Sequence, residues 1–315
     1  KDGIGKTIAS IRTRLFNQGL PGKRGNVFAT ACTKAALRIL DKLPKNTNFK
    51  VITNIGKNAE DIKANLAKYG INADDATINK ILQSNTKGVT FPDGSIILKE
   101  SIADSDSYVL VHEASHAAFL NILENAFHKT VANSDTELAN RLGVASCSYF
   151  SQMINRMMSL HNEEDTRMTN RISAREKLHT ALANFAGTYS VNNDDGSITQ
   201  KPSVALIRSE LTNMHKQLDP KASEEVIASI VESELNLMSQ VSSILAEEGM
   251  NLTDLSNFSK ASPSMKARVI SEVLAYIHSD TNIAEQTNTM RTPESIKVDN
   301  AVQRVYTKWL QTVNI

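Results

Sequence analysis

The sequence predicts an α+β chain that is mostly helical, with a small sheet confined to its first third. Two observations lead to this. After Ser101 the apolar residues recur at helical spacing almost to the end, over 105–128, 136–161, 166–186, 203–216, 221–248, 263–278 and 295–313. Before Ser101, short apolar runs alternate with turn residues. There Gly88–Phe91, Pro92-Asp93-Gly94 and Ser95–Lys99 spell a hairpin, because Asp-Gly tolerates the positive φ that such turns need.

Taken in order, residues 1–26 read as an arm or linker. Gly3, Gly5, Gly19, Gly22 and Gly25 are interleaved with Lys6, Arg12, Arg14, Lys23 and Arg24, a composition that resists packing. Gly3-Ile4-Gly5-Lys6-Thr7 has the ending of a phosphate-binding loop, but the motif's first glycine would precede Lys1 and no strand leads into it. Val27–Leu43 predicts a helix stopped at Pro44, and Phe49–Thr53 a short strand. Residues 59–68 predict a helix closed by Gly70, and 74–83 a shorter one. Among the later helices, the polar run Asn192–Ser197 has no apolar anchor and reads as an insertion boundary or flexible joint.

Composition narrows the function classes. The 315 residues carry 35 basic and 34 acidic side chains, a net charge of +1, so no global field draws in nucleic acid or an anionic membrane. Trp309 is the only tryptophan, which argues against a stacking platform for bases. Cys32 and Cys147 lack the spacing of a zinc ribbon or redox pair and read as small buried residues of a reducing compartment. No apolar run approaches the ~20 residues of a membrane span, and the N-terminus lacks a signal-peptide core. The start at Lys1 leads us to expect a fragment or a processed product.

The chemistry is concentrated in Val109-Leu110-Val111-His112-Glu113-Ala114-Ser115-His116-Ala117-Ala118-Phe119-Leu120. On a helix, His112 and His116 are one turn apart on one face, so two imidazole nitrogens can reach one metal ion. Glu113 stands one step round, where its carboxylate can take a proton from water without closing the coordination sphere. Asp104, Ser105 and Asp106 offer caps and negative charge at the positive end of the helix dipole. The flanks are apolar, so the trio sits on a largely buried helix, and burying such groups without a partner costs several kcal/mol. Zn2+ is the expected partner. Ile96, Ile97 and Leu98, just before this helix, read as an edge strand that pairs an extended peptide substrate, or else as a core hairpin. Met153, Met157 and Met158, at helical spacing, read as packing.

The stretch Gly94–Phe119, in which Gly-Ser-Ile-Ile-Leu leads to His-Glu-Ala-Ser-His-Ala, resembles the zincin metallopeptidases, particularly those embedded in large bacteriophage proteins. In the gluzincin branch the third ligand is a glutamate on a later helix. Arg268–Leu274, followed by Ser279-Asp280, is similar to that helix, which implies Glu272 as the ligand. Glu176, on a helix at a shorter distance, and Glu232, Glu234, His161 and His179 stay open as alternatives. The metzincin branch does not fit, because Phe119 and Ile122 stand where it needs glycine and histidine. Tyr276, one turn after Glu272, would share its face and either pack as a core tyrosine, the commoner use of such a residue, or donate to a developing oxyanion, with His278 as the other nearby donor.

The resemblance implies a zincin-like α/β part over 27–186, a helical insertion over 187–262, and C-terminal helices over 263–315 that carry the third ligand. It implies a zinc-dependent endopeptidase acting on peptide or protein, located in a phage virion or the host cytoplasm and in contact with other virion proteins. The rival expectation is a catalytically degenerate zincin fold serving as a structural or ejected virion component, since long helices serve assembly as readily as catalysis.

Overall fold

The structure is a computed structural model that describes residues 50–53, 55–82, 86–91, 95–99, 107–128, 134–164, 168–185, 190–280, 282–283 and 286. The arm at 1–26, the helix expected over 27–43, Phe49, the turn Pro92-Asp93-Gly94, the caps Asp104, Ser105 and Asp106, the helix expected over 295–313, and Cys32 and Trp309 lie outside the described residues. Among the described residues helices dominate, and the strands form one three-stranded and one two-stranded sheet. The chain divides into two compact units, one holding residues up to Ile122 together with Leu274–Ala284, the other holding Leu123–Val273.

In the first unit, β1 (Lys50–Ile52) leads into α1 (Ala59–Lys68), α2 (Asp75–Leu82), β2 (Gly88–Thr90), β3 (Ser95–Leu98) and α3, whose full range is Ser107–Phe127. Helix α1 starts where the Asn58 side chain accepts from the Asp61 backbone N–H at 2.9 Å. It stops at Gly70, whose φ of +76° lets Ile71 N–H reach back to Leu66 O at 3.1 Å. Ile62 and Leu66 of α1 and Ile78 and Ile81 of α2 are one turn apart on their helices, and they join Ile52, Val89 and Ile97 in one apolar cluster.

The sheet order is β1-β3-β2, with β1 parallel and β2 antiparallel to β3. This corrects the reading of Ile96, Ile97 and Leu98 as an edge. Val51 and Ile52 pair with Ile96 and Ile97 on one side, and Thr90, Val89 and Gly88 pair with Ile96, Ile97 and Leu98 on the other. A strand paired on both sides has no backbone to offer a peptide. All of Ser95–Leu98 is buried, as a central strand requires.

The second unit is helical: α4 (Ser134–Glu164), α5 (Met168–Asn184), α6 (Pro202–Leu218), α7 (Glu224–Ala246), a 3-10 helix (Leu252–Lys260) and α8, whose full range is Pro263–Ser279. Pro202 opens α6, where its missing N–H costs nothing, and Ser223 caps α7 by accepting from Val226 N–H at 3.2 Å. Asn251 and Asp254 form a capping box at the 3-10 helix, an element the periodicity does not announce. Met153 and Met157 are fully buried core residues, as expected. Asn192–Ser197 forms the tip of a hairpin, with β4 (Ser190–Asn192) antiparallel to β5 (Ile198–Gln200) and Gly196 at φ +82°. Among the described residues no helix is long and apolar enough to cross a membrane.

Candidate metal centre

Helix α3 presents His112, Ser115, His116 and Phe119 along one face, at steps of three and four residues. The Nε2 atoms of His112 and His116 stand 3.3 Å apart, with the rings nearly perpendicular at 79°. Two nitrogens at about 2.05 Å from a tetrahedral zinc are themselves about 3.3 Å apart. The imidazole pair therefore already has the spacing of two zinc ligands.

Glu272, one turn before Tyr276 on α8, is 8 % exposed, and one ligand atom from each of His112, His116 and Glu272 lies within 4.8 Å of the others. It is the one such trio of potential ligands among the described residues. The alternatives are engaged or placed elsewhere. Glu176 and His179 are exposed on α5. His161 pairs with Glu210 at 2.9 Å, Arg208 with Glu232 at 2.6 Å, and His215 with the buried Glu234.

Glu113 is 6 % exposed and turned towards β2. The Thr90 hydroxyl lies 2.5 Å from Glu113 Oε2 and 2.9 Å from the Glu113 carbonyl oxygen, so its single proton is held between two acceptors of one residue. Gly88, two residues earlier and hence on the same side of the strand, leaves the space Glu113 needs. A Cβ there would stand 3.0 Å from Glu113 Cγ and 3.1 Å from Ile97 O.

From α8, the Tyr276 ring meets the His112 ring edge to face, centroids 4.7 Å apart at 84°. His112 Nδ1 lies 3.3 Å from Ser279 Oγ. His278 is directed to another part of the same helix face: its Nδ1 lies 3.1 Å from Ser115 Oγ, and its ring packs at 5.8 Å on Phe119. Burial, with a smaller contribution from His112, pushes the His278 imidazole down to about 4, so it is neutral at physiological pH. Thus Tyr276 meets His112 beside His116, and His278 is occupied in tying α8 to α3.

The sequence gives no site role to Gly88, Thr90, Ser115 or Ser279, although Ser279 belongs to the stretch that resembles the glutamate helix. The signal for Ser115 was its polarity within an otherwise apolar helical stretch, whereas Ser279, between His278 and Asp280 at a helix end, had none. For Gly88 and Thr90 it was their shared parity on one short strand. Comparison with protein-family models, with curated proteins and with solved structures returned no match.

Proposed function

We propose that this chain is a zinc-dependent endopeptidase of the zincin type, with His112, His116 and Glu272 as zinc ligands and Glu113 as general base. The observation that carries this reading is the 3.3 Å separation of the two Nε2 atoms, which suits a tetrahedral zinc without rearrangement of either ring. A donor set of two imidazoles and one carboxylate is the set expected of a catalytic zinc, with a fourth position left open. Bound there, zinc supplies Lewis acidity towards water and the scissile carbonyl.

The chain's own residues do the rest. Glu113 takes the proton of the attacking water and passes it to the leaving amine, and the Thr90 hydroxyl holds one oxygen of that carboxylate so that the other is aimed. Tyr276, against the His112 ring, donates to the oxyanion that develops at the carbonyl. A peptide is the substrate class favoured, because β2 lies beside Glu113 and its outer side carries no strand among the described residues. In keeping with the resemblance to phage-embedded zincins, we place its work in a phage virion or in the host cell the virion enters.

The test is digestion of a peptide library by the zinc-loaded chain, with and without a chelator. Cleavage that the chelator abolishes and zinc restores supports the reading. Zinc uptake with no cleavage of any peptide favours the degenerate virion component instead.

A further inference from the structure

We infer that Ser279 is a positioning residue for the metal centre: its hydroxyl oxygen accepts the Nδ1 proton of His112 and thereby fixes the tautomer that presents Nε2 to zinc. The inference rests on the metallopeptidase reading and deepens it.

A serine hydroxyl has one hydrogen to donate and two lone pairs with which to accept. Ser279 Oγ lies 2.6 Å from Ala275 O, one turn back on α8. A carbonyl oxygen can only accept, so the hydroxyl's one hydrogen is committed there. Towards His112 Nδ1, 3.3 Å away, Ser279 Oγ can then act only as an acceptor, and the hydrogen of that contact belongs to the imidazole. With its proton on Nδ1, the neutral ring carries a lone pair on Nε2, the atom that faces His116 Nε2 at 3.3 Å. Ser279 is 9 % exposed, so little water competes for the contact.

The arrangement also fixes the ring's rotation. His112 is held at Nδ1 by Ser279 and in a T-shaped ring contact by Tyr276, both from α8, while Ser115 and His278 tie the same two helices together one turn further along α3. A ligand whose outer nitrogen is held in this way loses less freedom on binding metal. Removing such outer partners typically lowers metal affinity by 10–100-fold.

The test compares zinc affinity, by competition with a chromophoric chelator, in the full chain and in Ser279→Ala and Ser279→Thr. Long-range 1H–15N spectra of the histidine rings in the metal-free proteins read the tautomer directly. Expected are an Nδ1–H tautomer at His112 in the wild type, a mixture in Ser279→Ala with zinc binding about 10–100-fold weaker, and both properties restored in Ser279→Thr, whose hydroxyl can make the same two contacts. Zinc binding and tautomer unchanged in Ser279→Ala overturn the inference and leave the metallopeptidase reading standing. A wild-type chain that binds no zinc overturns that reading, and the nitrogen spectra then decide the Ser279–His112 bond by themselves.

Discussion

Thr90 Oγ1 lies 2.5 Å from Glu113 Oε2, which joins the second strand of the small sheet to the carboxylate that stands between the two histidines in the chain. Hydrogen bonds contribute roughly 0.5–1.5 kcal/mol, and about 1.5–3 kcal/mol where one partner is charged. Thr90→Val, which keeps the shape and removes the hydroxyl, is expected to lower kcat about 10–100-fold with little change in KM. Thr90→Ser should recover most of the loss. Equal kcat in wild type and Thr90→Val, measured on one cleaved peptide, would remove Thr90 from the account.

Gly88 gives a steric test of the same contact. Gly88→Ala puts a methyl 3.0 Å from Glu113 Cγ and 3.1 Å from the Ile97 carbonyl, so either the carboxylate or the strand must shift. The variant should keep zinc, because none of the three proposed ligands is touched, and should lose activity. Calorimetric zinc titration alongside a peptide assay checks the pair of outcomes.

His278 links stability to pH. Its folded-state pKa of about 4 lies below the ordinary 6.5, so between these values the unfolded chain binds the proton and the native chain does not. Stability from this group is fully present above pH 6.5 and falls as pH drops towards 4, by roughly 3 kcal/mol in all. Urea unfolding of the metal-free chain at pH 7 and pH 4.5 should show the loss, and His278→Asn should flatten it. An equal pH dependence in the two proteins would contradict the assignment.

The pair of His215 and Glu234 bridges α6 and α7 in the helical unit, with both side chains buried. Glu234→Ala strands the histidine, and breaking a buried pair from one side typically costs about 3–5 kcal/mol. The double change His215→Leu with Glu234→Leu should cost less than the single one. A single variant as stable as wild type in thermal unfolding would show that the pair carries no energy.

Local chemistry explains why some of this was legible in the sequence and some was not. Helix α1 follows from Asn58, Ile62, Leu66 and Gly70, all within one short segment, and its expected span of 59–68 matches the structure. The likeness of His112 and His116 in orientation is a property of one helix turn and is equally local. The rank of β3 in its sheet is not, because it depends on β1, which joins it from more than forty residues away and turns an expected edge into the centre. Ser279 and His112 are 167 positions apart and Thr90 and Glu113 are 23 apart, and neither pairing leaves a periodic trace. The hairpin around Asn192–Ser197 was missed for another reason: its strands are three residues each, too short to show the apolar alternation by which strands are recognised, and all of β5 is exposed.

The central claim, that His112, His116 and Glu272 hold one zinc ion, is tested most directly by zinc-edge X-ray absorption on the loaded wild-type chain and on Glu272→Ala. The account predicts one zinc per chain with two imidazole nitrogens and oxygen donors at about 2.0–2.2 Å in the wild type, and an ion lost or held only weakly in Glu272→Ala. A wild-type chain that retains no zinc, or a wild-type spectrum without two imidazoles, would contradict it.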